Sequence, residues 1–338
     1  MSKLTRRAVW GAGAALLAGP LAYGKARSVH HKSRPVPSKV PPVQAKEPAP
    51  AAKPPALEVK SAELGPRLKL AYVELGLGAP VIFVHGSLSD YSYWSDQLPA
   101  FAETARAIAY SRRYNWPNDN PAVRGYSAVT DAQDLAALIE LLCGGRPTHI
   151  VGHSYGALTG LILAIRRPEL VRTLTLAEAP AMSLLAHAPG QLAPTGKAML
   201  ADVRAHMVAP MRAAFRHGDR ETGVATFINY CFGDPQAWAK MPAAAHEDTL
   251  KDAHEWDVMM TSGELFPEVS PDAVRAIRMP TLLLSGAKSY PFLGVIDETL
   301  MSLLPNAKRV VFPNATHQMW LQEPQACRKA TMDLQRQA

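Results

Sequence analysis

The sequence predicts a doubly wound, mostly parallel α/β sheet with helices on both faces and a helical insertion late in the chain. Three observations lead there. Apolar runs of strand length, such as VIFVH at 81–85 and VRTLTL at 171–176, alternate with runs of helical period. One such strand, Thr148 to Val151, turns through Gly152, Ser154 and Gly156 into a small-residue helical run ending at Arg166. The alternation then stops between residues 181 and 279, where only helix-like runs occur.

The amino-terminal part accounts for the basic charge. The whole chain of 338 residues carries +7, but residues 1–57 hold ten Lys or Arg against Glu47 alone, a net of +9, which leaves −2 for the remainder. The remainder is therefore no nucleic-acid binder by charge. Arg6-Arg7 precedes an apolar stretch from Ala8 to Ala22, shorter than the roughly 20 residues a bilayer span needs. This resembles a twin-arginine export signal, read as residues 1–26, and implies a periplasmic or secreted protein. Membrane association is expected only if that segment stays uncleaved as an anchor. Residues 27–57, rich in Pro, Ala and Lys, read as an extended linker. Cys143, Cys231 and Cys327 are too few and scattered for a disulfide framework or a metal site. No phosphate loop or cofactor motif appears, so no cofactor is expected.

From residue 58 the core begins, and 48% hydrophobic content is enough to fill it. Leu57 to Leu75 contains two strand-like pieces; VIFVH ends in His85-Gly86-Ser87; RAIAY at 106–110 is the next strand. Thr130 to Cys143 has helical period, with Asp131 and Asp134 near its start, where acids suit the helix dipole. The strand at 171–176 ends in Ala177-Glu178. After the insertion come TLLLSG at 281–286, a helical run from Leu293 to Leu304, the strand KRVVF at 308–312, the turn holding His317, and a last helix from about Pro324. The core is thus 58–180 plus 280–338. The insertion, 181–279, has helix-like runs at Ala198 to Phe215, Thr222 to Tyr230 and Pro271 to Ile277. Its aromatic residues, Phe227, Tyr230, Phe232, Trp238 and Trp256 among them, are assigned mainly to its own packing.

The pattern G-x-S-x-G would arise by chance in roughly one chain in ten of this length, given ordinary glycine and serine usage. Placed between an apolar strand and a helix it is more specific: serine stands on a tight turn that only glycine-sized neighbours allow. Ser154 is the candidate nucleophile. Tyr155 N–H, at the start of the following helix, is a donor for a developing oxyanion. The strand ending in His-Gly ahead of this turn makes residues 67–335 similar to the α/β-hydrolase family, cap-domain type. The resemblance implies that Ser87 N–H is the second oxyanion donor, that His317 is the general base, and that 181–279 is a cap over the site. His85 is expected to support the loop by hydrogen bonding rather than to act as a base.

In many members of that family the acid that orients the base follows the strand written here TLLLSG, in a loop such as G-x-x-D. This chain has Gly286-Ala287-Lys288-Ser289, with no carboxylate. Two candidates remain. Glu178 closes the preceding strand, a position some members use, and Asp297 lies in a helical run. Glu178 is preferred, because a residue within that helix would point away from the strand tips; a Ser-His dyad is a third arrangement.

Serine chemistry at this position predicts acyl transfer: hydrolysis of a small-molecule carboxylic ester or lactone. Carbon-carbon bond hydrolysis and perhydrolysis would use the same residues. A non-catalytic binding protein on the same scaffold is the alternative of another class.

Overall fold

The computed structural model describes residues 57–262 and 264–338. The expected export signal and all but the last residue of the expected linker lie outside the described residues. Eight strands, β1 (Lys60–Gly65), β2 (Leu68–Leu75), β3 (Pro80–Val84), β4 (Arg106–Tyr110), β5 (Thr148–His153), β6 (Val171–Ala177), β7 (Thr281–Gly286) and β8 (Ala307–Phe312), form one sheet. Its order is β1-β2-β4-β3-β5-β6-β7-β8. The β1/β2 and β2/β4 pairs are antiparallel and all pairs from β4 to β8 are parallel. The chain leaves β3 toward β4 on one side and reaches β5 on the other. Connections therefore diverge between β3 and β5, opening a crevice at their carboxyl ends.

The strands are apolar on both sides because both faces are covered. Ile82 and Val84 of β3 belong to one buried cluster, Val81 and Phe83 to the other, as the two-residue period of a strand requires. The second cluster is closed by α1 (Leu98–Ala102). The first is closed by α2 (Ala128–Cys143) and α3 (Tyr155–Arg166). Ser127 starts α2 by accepting the Val129 N–H, and Gly144, at φ 63°, ends it.

Between β6 and β7 run α4 (Ala193–Asp202), α5 (Ala209–Arg216), α6 (Arg220–Phe232), α7 (Ala243–Lys251), α8 (His254–Ser262) and α9 (Pro271–Arg275). The single helix expected from Ala198 to Phe215 is divided by a wide turn at Val203–Val208. Pro210 supplies the reason: it has no N–H to continue the ladder, so the turn before it opens. After β7 come α10 (Pro291–Leu303), α11 (Met319–Gln322) and α12 (Pro324–Arg336). The last two complete the second cluster through Met319, Trp320, Cys327 and Leu334.

Candidate active site

Ser154 stands at the end of β5, the first residue before α3, with φ 54° and ψ −124°. A non-glycine residue there carries strain of roughly 1–3 kcal/mol. The turn is tight on both sides. A Cβ on Gly152 would lie 2.5 Å from the Gly156 carbonyl oxygen, and one on Gly156 would lie 2.2 Å from that of Val84. The Ser154 N–H donates to Ala177 O at 2.8 Å, tying the elbow to the tip of β6. Leu88 (φ 54°) and Glu178 (φ 52°) are the other non-glycine residues with positive φ among the described residues. All three follow the carboxyl ends of neighbouring central strands.

His317 lies in the turn between β8 and α11, and its Nδ1 is 2.5 Å from Glu178 Oε2. Glu178 takes two further donors: Gly286 N–H to Oε1 at 2.8 Å and the Ser289 hydroxyl to Oε2 at 2.6 Å. The loop in which the sequence lacks an acid therefore grips the acid that β6 supplies. Behind His317, His153 Nε2 donates to its carbonyl oxygen at 2.8 Å, and the two rings lie 4.6 Å apart. Burial, then the neighbouring His317, hold the His153 pKa well below its ordinary value, so that ring is neutral with its proton on Nε2. Asp297 does not approach His317 in this way. It sits within α10 with the Ser285 hydroxyl donating to Oδ2 at 2.5 Å, and its burial is the main cause pushing it up to about 8.

The loop after β3 is set by a fully buried arginine. Gly86 O lies 2.8 Å from His85 Nδ1 and accepts from Arg112 Nη2 at 3.1 Å. His85 Nε2 accepts the Arg112 N–H at 2.9 Å, which leaves the ring proton on Nδ1 to donate to Gly86. Burial and the adjacent guanidinium lower the His85 pKa to about 3, so this ring stays neutral and is no base near neutral pH. Because a trans peptide is planar, fixing Gly86 O on one side turns the Ser87 N–H to the other. Close approach to the elbow demands glycine at 86: a Cβ there would sit 2.9 Å from Ser154 Cβ. Tyr155 opens α3, where its N–H has no intrahelical acceptor. Its ring carries Arg112 at 4.9 Å, and its hydroxyl accepts from Ala128 N–H and donates to Leu265 O, both at 2.9 Å.

Ser87, Ser154, Tyr155 and His317 line one cavity. The stretch from 182 to 266 supplies Met182, Met207, Met211, Phe227, Cys231, Trp256, Leu265 and Phe266, and the β7 side adds Tyr290, Phe292 and Leu293. Among the described residues, no Lys, Arg, Asp or Glu lines it. Phe227 and Trp256, assigned from the sequence mainly to packing within the insertion, are part of this wall as well as touching each other with ring centroids 4.9 Å apart.

The profile of the alpha/beta hydrolase family matches residues 81–330. The chain belongs to that family. This hydrolase is 27% identical over 247 residues, 71% of its own length and 85% of the relative's, to the provisionally named carbamate hydrolase RutD of Klebsiella pneumoniae (strain 342). Its fold is like that of the enol-lactonase from Burkholderia xenovorans LB400 (TM-score 0.61, 18% identity, 81% of this chain and 99% of that one). It is also like that of the carboxylesterase CesB from Bacillus subtilis (TM-score 0.60, 17% identity, 83% and 92%).

Three residues at this site were not assigned to it from the sequence. Ser289 had a signal, since it stands where G-x-x-D would place the acid. Arg112 follows a strand tip within a polar Arg-Arg-Tyr run and gave none. Cys231 comes from the insertion, where neither strand period nor motif marks a position.

Proposed function

We propose that this hydrolase cleaves a carboxylic ester or lactone, with an apolar and uncharged acyl part, through an acyl-enzyme on Ser154. The observation that carries the reading is the contact of Glu178 with His317, a residue that lines the same cavity as Ser154. Glu178 holds Nδ1 protonated and leaves Nε2 to take the Ser154 proton as Oγ attacks the carbonyl carbon. The oxygen of the tetrahedral intermediate lies toward the N–H groups of Ser87 and Tyr155. His317 gives its proton to the departing alcohol oxygen. Water then gives a proton to His317 as it attacks the acyl carbon; the bond to Ser154 Oγ breaks, Oγ takes that proton back from His317, and the carboxylic acid leaves.

The wall chemistry supports the substrate class. A second carboxylate in a cavity without a cationic residue would be desolvated with no counter-ion, which costs several kcal/mol, whereas methylene groups gain about 0.8 kcal/mol each on burial. The carbamate, lactone and carboxylic ester named for the relatives all present a carbonyl carbon to a nucleophile, in keeping with this reading.

A fluorophosphonate probe tests it. Wild type is expected to become covalently labelled and Ser154→Ala to take no label, with ester turnover down by at least about 10³-fold. A wild-type protein that neither labels nor turns over neutral esters would overturn the acyl-enzyme reading on Ser154.

A further inference from the structure

Glu255, on α8, is a fully buried carboxylate that reaches out of the insertion to the loop after β3. Its Oε1 accepts the Leu88 N–H at 3.2 Å and its Oε2 accepts from Arg112 Nη2 at 2.5 Å. The same guanidinium donates to Gly86 O at 3.1 Å, His85 O at 3.3 Å and Asp131 Oδ2 at 2.8 Å. Two consecutive peptides of the loop are thus held: Gly86–Ser87 through its oxygen by Arg112, and Ser87–Leu88 through its N–H by Glu255. Leu88 keeps φ 54° under that grip. Nearby insertion residues contact the same two loops without touching these peptides. Lys251 Nζ meets Asp90 at 2.8 Å, and Asp252 accepts the Trp116 N–H at 2.8 Å.

Stability alone is a poor reason for this arrangement. Arg112 already has Asp131 as a buried counter-ion, and taking a second carboxylate out of water costs several kcal/mol that well-packed apolar side chains would avoid. What Glu255 adds is direction, since its two oxygens fix both the loop and the arginine that aims the loop.

We infer that Glu255 is a positioning residue through which docking of the insertion sets the Gly86–Ser87 peptide, and with it the oxyanion donor facing Ser154. The inference rests on the serine-hydrolase reading above. It makes the insertion part of the machinery that assembles the site, in addition to its part in the cavity wall.

The test counts active sites with the fluorophosphonate and measures turnover of a neutral p-nitrophenyl ester per labelled site. In Glu255→Gln one carboxylate oxygen becomes an amino group, which cannot accept from Leu88 or Arg112. A lost oxyanion donor costs about 10²–10³ in kcat, so a misdirected one is expected to lower kcat per labelled site roughly ten- to hundredfold, with KM moving less than about threefold. Glu255→Asp, which keeps the charge, is expected to recover part of the loss. Lys251→Gln weakens the same seam away from the Gly86–Ser87 peptide and is expected to leave kcat per labelled site unchanged. A merely structural role would reduce the number of labelled sites but not the turnover of each, and wild-type turnover per site in Glu255→Gln overturns the inference. Should that variant not fold, amide exchange of wild type decides: the phosphonyl adduct is expected to slow exchange in residues 85–90 and also in 251–257, and slowing confined to the first segment overturns it. A wild type that takes no label overturns the serine acyl-enzyme reading, and this inference falls with it.

Discussion

Two buried carboxylates on the carboxyl side of the sheet meet opposite fates. Glu178, first residue beyond β6, receives a backbone N–H, a serine hydroxyl and an imidazole nitrogen. Asp297, midway along α10, receives one hydroxyl, from Ser285, and its Oδ1 has no hydrogen-bond partner. Arg309 stands 3.9 Å from it and spends its Nε on Ser285 instead. Equal burial leaves the two carboxyls in different company, set by the donors turned toward each. A strand tip can collect donors from the next strand's loop and from a turn beyond it, while a helix interior offers only what crosses its own face. The same comparison separates an acid able to orient a base from one that serves packing.

The largest expected effect breaks or keeps this contrast. Glu178→Gln should lower kcat/KM for a neutral ester by about 10²–10⁴-fold, as loss of the orienting acid does in serine hydrolases, while Asp297→Asn stays within about threefold of wild type. If the second variant collapses and the first does not, the roles are reversed. A smaller effect sharpens the account of why Glu178 stays in place: Ser289→Ala removes one of its three donors and should cost roughly three- to tenfold in kcat/KM. The smallest concerns stability. Asp297 is raised to about 8 from an unfolded value of about 3.9, so the fold favours its protonated form. That contribution is full below about pH 4 and is lost as pH rises through 8. Thermal melts at pH 5 and pH 8 should show wild type losing stability from this group, and Asp297→Asn losing less. Equal losses would mean that another group carries the slope.

Much of this was legible in the chain, for local reasons. The central strands declare themselves as continuous apolar runs because both their faces are covered, and the elbow declares itself because Gly152 and Gly156 have no room for a side chain. The contact of Glu178 with His317 accords with the preference for Glu178, which rested on Gly286 to Ser289 being empty of acid and on Asp297 lying within a helix. The rest depends on partners far apart in sequence. The separation of 143 residues from Arg112 to Glu255 leaves no local mark on either. Phe227 and Trp256 have the same apolar character whether they face a neighbouring helix or a cavity, so composition could not tell these roles apart. The insertion's weak helices, such as Ala243–Lys251, carry too little periodicity to be placed.

The serine at position 289 also limits how such a site can change over evolutionary time. Its hydroxyl donates where a carboxylate would repel Glu178, and two acids facing one imidazole would trap a proton between themselves. A carboxylate introduced at 289 would therefore call for a neutral residue at 178. In this chain the two places are complementary, with Glu178 just after β6 and its hydroxyl donor on the loop after β7.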